Sequence, residues 1–153
     1  MIRKAVLGDS PKIAELINYF AGQKKMLPRS VENIAEHIRD FLVAEDNGQV
    51  VGCVALHFYS RELAEIRSLA VDSKFQGKGY GKALIKQSIA DHQKLGGRRI
   101  FALTYVQELF KSLGFMIGDK EELPEKIWAE CIKCEKYQDC DEICVIYLIK
   151  DQP

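Results

Sequence analysis

Apolar residues recur along the chain at two spacings, which predict where helices and strands lie. The segment after Pro11 places them every three to four positions, as expected for a helix that buries one face. We expect Ser10 to cap this helix and Pro11 to begin it. Residues 41–58 instead form two apolar runs around Asn47 and Gly48, which is a strong signal for a β-hairpin.

The remaining segments follow the same two patterns and together predict a mixed α/β fold. Ser30 is expected to cap a second helix, and Gly96–Gly97 to end a longer one. The predicted order is β-α-α-β-β-β-α-β-α-β, with one more strand after a cysteine-bearing insertion at about residues 124–142. No repeat or low-complexity segment divides the chain. We therefore expect a single domain over residues 1–153, with helices on both faces of a sheet.

Composition and charge restrict the classes of function. The 22 basic and 22 acidic residues give a formal net charge of zero, which argues against nucleic acid or an anionic membrane as a general partner. The charged N-terminal segment lacks the apolar core of a signal peptide, and no apolar run is long enough to span a bilayer. We expect a cytoplasmic protein, in which the five cysteines are thiols or metal ligands before they are disulfides.

Residues 71–85, VDSKFQGKGYGKALI, place three glycines at alternate positions between a predicted strand and a predicted helix. Glycines there open the first N–H groups of the helix to a ligand, since these groups have no partner within the helix. The helix dipole and the neighbouring Lys78 and Lys82 favour an anion, and a pyrophosphate suits this geometry. The pattern matches neither a P-loop nor a dinucleotide-binding fingerprint. A tight turn without a ligand is the alternative.

The same segment resembles a known family. Its Q-G-K-G-Y-G fits the R/Q-x-x-G-x-G/A signature of the GNAT acetyltransferase superfamily, and LAV before it and LFKSLGF after it fit the flanking motifs. The resemblance extends from IRKA to VIYLI. It is closest to the short, kinase-less N-acetylglutamate synthase-like group, through MLPRS, IRDFLVAEDNGQVVGCVALH, LAEIRSLAV, FALTY and LPEKIWAECIKCEKYQDCDE.

This resemblance implies a GNAT fold, a mostly antiparallel sheet in which two neighbouring strands splay apart around acetyl-CoA. The main chain of Gln76–Gly81 would hold the pyrophosphate, and Leu69 and Val71 would offer main-chain groups to the pantetheine arm. The residues that the resemblance assigns to acetyl-CoA are Leu69, Ala70, Val71, Gln76, Gly77, Lys78, Gly79, Tyr80, Gly81, Lys82 and Phe110.

The resemblance also implies a catalytic base and raises a question about the acid. Glu65 falls where histone-acetylating members place a general-base glutamate, and its spacing from Val71 predicts a shared strand face. Alternatively, Glu65 pairs with Arg67 or faces solvent. Phe110 replaces the tyrosine that usually protonates the leaving thiolate in the family. Tyr105 or a water would then substitute, or no acid is needed, and Tyr105 is otherwise a packing residue.

The acceptor that the resemblance implies is the amine of L-glutamate, in the first step of arginine biosynthesis. Guanidinium groups bind carboxylates bidentately, and Arg29 and Arg67 are the best placed to do so. The alternatives are another amino acid, a small amine, a protein amine, or a non-catalytic acyl-CoA sensor. The family allows a homodimer. The histidines His37, His57 and His92 are expected to be structural or on the surface.

Cysteines cluster in the stretch CIKCEKYQDCDEIC, with the spacing C-x2-C-x5-C-x3-C. Cys131, Cys134 and Cys140 form the best set of zinc ligands, with the fourth ligand unknown. An iron–sulfur cluster, a redox-responsive thiol pair and unmodified thiols are the alternatives. Cys144 begins a predicted strand and is expected to be buried, as is Cys53 on the hairpin.

Overall fold

The predicted order of elements is present in the computed structural model of the chain, which describes residues 1–123 and 142–149. The predicted insertion lies outside these ranges, apart from residue 142. Across the same ranges no helix has both the length and the apolar composition that a membrane span requires. The α-helices are α1 (Ser10–Ala21), α2 (Val31–Glu36), α3 (Tyr80–Lys94) and α4 (Gln107–Lys111). The strands are β1 (Ile2–Lys4), β2 (Phe41–Asp46), β3 (Gln49–Phe58), β4 (Leu63–Val71), β5 (Arg99–Thr104), β6 (Met116–Ile117) and β7 (Ile143–Leu148).

The described residues form two compact units, each with part of the sheet. The first unit comprises Met1–His57 and Ile66–Ala90, and the second comprises Phe58–Glu65 and the described residues from Asp91 onward. The strand order is β1-β2-β3-β4 in the first unit and β4-β5-β7-β6 in the second, because β4 contributes residues to both. The β4–β5 ladder is parallel and the ladders β1–β2, β2–β3, β5–β7 and β6–β7 are antiparallel, so the mostly antiparallel sheet is confirmed.

The first unit contains the predicted hairpin. Strands β2 and β3 pair antiparallel, from Phe41 opposite Ala55 to Asp46 opposite Gln49. Asn47 and Gly48 have φ values of 50° and 78°, the left-handed pair that a two-residue hairpin turn requires. The hairpin, α1, α2 and β4 bury a common core of Ile13, Ala14, Leu16, Ile17, Phe20, Ile34, Phe41, Val43, Cys53, Ala55 and Ala70.

The helix starts of the first unit confirm one predicted cap and correct the other. Ser30 caps α2 as predicted, because its Oγ accepts a hydrogen bond from the Asn33 N–H at 3.0 Å. Ser10 does not cap α1, since it is the first helical residue and is buried, and Asp9 takes the cap position. Arg3 Nη1 donates to the Asp9 carboxylate at 2.8 Å, and this guanidinium lowers the pKa of Asp9.

The second unit is organised around β5, which pairs with two strands. Its parallel ladder with β4 joins Leu63–Glu65 to Arg99–Phe101, so Glu65 stands at the end of this ladder. Its antiparallel ladder with β7 includes Leu103 opposite Cys144. The core cluster of this unit consists of Leu63, Phe101, Leu123 and Cys144.

The end of α3 explains the one histidine that is fully buried within the described part of the chain. Gly96 has a φ of 88°, so the predicted glycine stop is confirmed. The buried His92 ring places Nε2 3.0 Å from the Glu62 carbonyl oxygen and 2.9 Å from that of Arg99. A Cβ at Gly97 would lie 2.1 Å from this ring, so only glycine leaves room for it. His92 is therefore structural, as predicted.

Candidate functional site

The glycine segment forms the predicted loop between β4 and α3. Gly77 and Gly79 have φ values of 82° and 88°, a region that other residues rarely adopt. A Cβ at either position would meet no atom within 4 Å, so glycine is needed for its backbone angle and not for lack of space. The loop is exposed from Gln76 to Gly79, and the Ala83 N–H donates to the Gly79 carbonyl in the first turn of α3. The loop thus presents its main chain, with the start of α3, to solvent.

Side chains fix this exposed loop at both ends. The Tyr80 hydroxyl donates to Asp46 Oδ2 at 2.7 Å, and this bond to a carboxylate raises the pKa of Tyr80. The Tyr80 ring meets Phe75 edge-on at 6.4 Å between centroids, and Lys78 Nζ lies 5.0 Å from the Phe75 ring centre. Gln76 Nε2 donates back to the Val71 carbonyl at 3.1 Å. Asp46 lies beside the hairpin turn, and sequence reasoning missed its role.

The end of β4 departs from a regular strand. Ser68 has a φ of 55°, a left-handed conformation that is uncommon for serine and typical of a local bulge in a strand. Such a residue disturbs the alternation of side chains along a strand, and Ser68 lies between Glu65 and Val71. The shared strand face of Glu65 and Val71 therefore stays a prediction. Ala70 is buried, and Leu69 and Val71 are half-buried.

Arg29 is held beside Ser68 by contacts from several elements. Its Nε donates to Asn33 Oδ1 at 2.8 Å, and its Nη1 lies 3.4 Å from Ser68 Oγ. Its guanidinium carbon lies 5.0 Å from the centre of the Phe41 ring. The Asn18 amide bonds the Arg29 main chain on both sides, accepting from N–H at 3.0 Å and donating to C=O at 2.8 Å. The role predicted for Arg29 stays a prediction, and no local pattern in the sequence indicates these partners.

The proposed base, Glu65, lies in the second unit and is only 4 % exposed. The interpretation in which it faces solvent is therefore wrong. Its Oε1 accepts a hydrogen bond from the Tyr59 hydroxyl at 2.8 Å, and the Tyr59 ring packs 6.0 Å from Phe101. The core of the second unit thus fixes the tyrosine that orients this carboxylate. Arg67, two residues further on in β4, is half-buried.

Tyr105 and Phe110 occupy different environments within the second unit. Phe110 is 2 % exposed and meets Phe115 edge-on at 5.1 Å, so it is a core residue, and its assignment to the cofactor stays a prediction. Tyr105 is 42 % exposed and is therefore not a plain packing residue. It lines an open groove of about 530 Å³ with Val106, Gln107, Glu108, Leu109 and Ile143.

The cysteine predictions divide between described and undescribed residues. Cys53 and Cys144 are buried, as predicted, and burial raises the pKa of the Cys53 thiol to about 12. Cys131, Cys134 and Cys140 lie outside the described residues, so their zinc site stays a prediction. Within residues 1–123 and 142–149, no group of three His, Cys, Asp or Glu side chains is arranged to hold a metal ion.

The sequence of this chain is similar to those of known acetyltransferases. Residues 12–115 match the model of the Acetyltransferase (GNAT) family. The chain is 46% identical over 145 residues to an uncharacterized N-acetyltransferase of Chlorobaculum tepidum, which covers 95% of this chain and 94% of that protein. It is 36% identical over 118 residues to the amino-acid acetyltransferase of Mycobacterium tuberculosis, with 75% of this chain and 67% of that protein covered.

Solved structures are also similar to this chain over nearly its whole length. N-acetylglutamate synthase from Neisseria gonorrhoeae, crystallised with coenzyme A and N-acetyl-glutamate, matches with a TM-score of 0.88 and 32% sequence identity. The match covers 99% of this chain and 35% of that synthase, so this chain corresponds to about a third of it.

Proposed function

The chain belongs to the acetyltransferase (GNAT) family and is an N-acetyltransferase, and we propose that it transfers the acetyl group of acetyl-CoA to the α-amine of L-glutamate. The observation that carries this proposal is the exposed main-chain loop at Gln76–Gly81, placed at the start of a long helix. The amino-acid acetyltransferase of Mycobacterium tuberculosis and the Neisseria gonorrhoeae synthase, with its bound coenzyme A and N-acetyl-glutamate, support the choice of substrates.

The loop supplies the chemistry that the diphosphate of acetyl-CoA requires. Main-chain N–H groups at the start of α3 have no helical partner, and the helix dipole favours negative charge there. The positive φ angles of Gly77 and Gly79 turn the main chain toward the ligand without a Cβ in the way. Lys78 and Lys82 are exposed and add positive charge at the rim. Main-chain groups of Leu69 and Val71, at the end of β4, would bind the pantetheine arm.

Glu65 is the residue that we assign to the general base. The pKa of an α-amine is about 8 in peptides and higher in free amino acids, so the amine of glutamate is largely protonated near neutral pH. A carboxylate that removes its proton increases the reactive fraction. The neutral amine attacks the thioester carbonyl, and the nitrogen of the tetrahedral intermediate loses a proton to water. The C–S bond then breaks to give the amide and the thiolate of coenzyme A. The Tyr59 hydroxyl holds one oxygen of Glu65 during this transfer. Tyr105 or a water would return a proton to the thiolate.

The two carboxylates of glutamate need cationic partners. Arg29 and Arg67 are assigned to this role, because a guanidinium binds a carboxylate through two parallel hydrogen bonds. Arg29 is already ordered beside Ser68 of β4 by Asn33 and Phe41. Because its guanidinium is already held in one conformation, Arg29 is suited to bind a carboxylate in one defined position.

An acceptor panel tests the proposal. Release of free thiol from acetyl-CoA is measured with L-glutamate, L-glutamine, L-aspartate, a small amine and a lysine peptide. We expect the highest kcat/KM with glutamate, and a lower value with glutamine, which lacks the second carboxylate. Faster turnover of a carboxylate-free acceptor would contradict the glutamate assignment. Coenzyme A binding without turnover of any acceptor would instead indicate an acyl-CoA sensor.

Four other predictions are independent of this panel. They are the cytoplasmic location, the single-domain organisation, a homodimer, and zinc at Cys131, Cys134 and Cys140. Elemental analysis of the purified protein tests the zinc, with one equivalent per chain as the expected result. Sedimentation equilibrium tests the homodimer.

A further inference from the structure

Asparagine side chains hold both the main chain and the side chain of Arg29. Asn18, in the last turns of α1, bonds both main-chain polar groups of Arg29 at 2.8 and 3.0 Å. Arg29 lies in the connection between α1 and α2, so these two bonds fix where its Cα stands. The connection is thus tied to α1 at Arg29.

The guanidinium is fixed by a separate set of contacts. Asn33, in the first turn of α2, accepts from Arg29 Nε at 2.8 Å, and the guanidinium carbon lies 5.0 Å from the centre of the buried Phe41 ring. Asn33 is itself in place because its N–H donates to the Ser30 cap at 3.0 Å. The helix cap, the amide and the arginine therefore form one continuous chain of hydrogen bonds.

We propose that Asn18 and Asn33 are positioning residues that set the affinity for the carboxylate of the acceptor. Neither amide needs to touch the acceptor, because each acts through Arg29. A mobile arginine loses rotamer freedom when it binds a carboxylate, whereas an arginine held in one conformation has lost it already. This inference rests on the proposed function, in which Arg29 binds an acceptor carboxylate.

The separation of KM from kcat tests this role. Thiol release is measured for Asn18→Ala, Asn18→Asp, Asn33→Ala and Asn33→Asp with L-glutamate as the varied acceptor. We expect the two alanine variants to raise the KM for glutamate about five- to twentyfold, with kcat and the KM for acetyl-CoA within about twofold of the wild type. Asn33→Asp should raise the glutamate KM further, because it places a competing carboxylate beside Arg29 Nε. Asn18→Asp should lie between the wild type and Asn18→Ala, since it keeps the acceptor for the Arg29 N–H.

Gln23→Ala is the matched control, because Gln23 is an exposed amide in the same connection. It should leave all three kinetic constants unchanged. Thermal melting of each variant identifies any that fails to fold at the assay temperature. If Asn18→Ala is one of these, the comparison of Asn33→Ala with Asn33→Asp, which differ in charge, tests the proposal by itself.

The outcomes separate this inference from the proposed function. Wild-type enzyme that acetylates only acceptors without a carboxylate would overturn both. Wild-type enzyme that acetylates glutamate, with Asn18 and Asn33 variants of unchanged glutamate KM, would overturn this inference alone. A parallel rise in the KM values for glutamate and acetyl-CoA would also overturn it, since that result indicates a general loss of structure.

Discussion

Two regions of the first unit bind anions in the proposed reaction, and they are built in opposite ways. The glycine loop at Gln76–Gly81 is exposed, consecutive in sequence and made of main chain. The cluster around Arg29 is half-buried and assembled from side chains of α1, α2, β2 and β4. The first region depends on a backbone conformation. The second depends on contacts between residues that are distant in the sequence.

The two regions also differ in how they accommodate a positive φ. Gly77 and Gly79 take φ values of 82° and 88° without a steric cost, because glycine has no Cβ. Ser68, beside Arg29, takes a φ of 55° with a side chain attached. Left-handed conformations cost other residues roughly 1–2 kcal/mol. The loop is therefore relaxed, whereas the strand beside the arginine carries local strain.

Replacing Arg29 should have the largest effect. It should change the KM for the acceptor and leave the KM for acetyl-CoA as it is. A hydrogen bond to a charged group contributes about 1.5–3 kcal/mol, so Arg29→Ala should raise the KM for glutamate roughly 10- to 100-fold. Arg29→Lys should recover little of this loss, because an ammonium cannot form two parallel bonds to a carboxylate. Steady-state thiol release with each substrate varied in turn is the measurement.

The same assay supplies the control for the arginine variants. Arg39→Ala removes an exposed arginine of the same unit and should leave the KM for glutamate unchanged. Equal increases in the KM values for glutamate and acetyl-CoA in Arg29→Ala would break the comparison, because the two regions would then not be independent.

A glycine substitution should affect coenzyme A instead of the acceptor. Gly79→Ala puts a Cβ on a residue with a φ of 88°, so the loop must change conformation. With a cost of roughly 1–2 kcal/mol, the Kd for coenzyme A should rise about 5- to 30-fold. Isothermal titration calorimetry measures this change. Gly8→Ala is the matched control, because Gly8 has open space for a Cβ and no positive φ. An unchanged Kd in Gly79→Ala would argue against the loop as the diphosphate site.

The contrast between the two regions explains which parts of the site the sequence could predict. The loop lies in one short stretch, so Gly77, Gly79 and the helix after them could be identified together. The partners of Arg29 come from other elements, and no local pattern joins Asn18, Asn33 and Phe41 to it. Element order was predictable for the same reason as the loop, since each helix and strand has its own local spacing.

Rules based on neighbouring residues take no account of tertiary contacts or of changes in backbone conformation. Ser10 matched the preferred residues for a helix cap, yet the helix begins one residue earlier than that rule predicts. Alternation along β4 is a second rule of this kind, and it takes no account of the left-handed Ser68 between Glu65 and Val71. A positive φ at serine has no sequence signal comparable to that of glycine.

A smaller effect is expected at the side chain that anchors the loop. Tyr80→Phe removes the hydrogen bond to Asp46, and the Kd for coenzyme A should rise about threefold, as for loss of a modest hydrogen bond. The carboxylate raises the pKa of Tyr80, so the bond is fully present below pH 10 and is lost only as the pH rises through the raised value. Calorimetry should therefore give the same ratio of wild-type to variant affinity at pH 7 and pH 9. If the affinity ratio instead decreased from pH 7 to pH 9, the Tyr80 hydroxyl would ionise at a lower pH than expected.

The smallest effect should come from substitutions at Ser68. The sign of the stability difference between two such variants distinguishes backbone strain at Ser68 from the contact of its hydroxyl with Arg29. Ser68→Ala and Ser68→Gly both lose the hydroxyl beside Arg29, and each should raise the KM for glutamate about twofold. Only Ser68→Gly also relieves the left-handed backbone, so it should unfold with a free energy about 0.5–1 kcal/mol above that of Ser68→Ala. Urea denaturation measures this difference. At Ala70 of the same strand, where φ is not positive, Ala70→Gly should instead lower the stability. If Ser68→Gly were the less stable of the two serine variants, the left-handed backbone at Ser68 would be an unstrained part of β4. The two regions would then differ only in whether main chain or side chains present the binding groups.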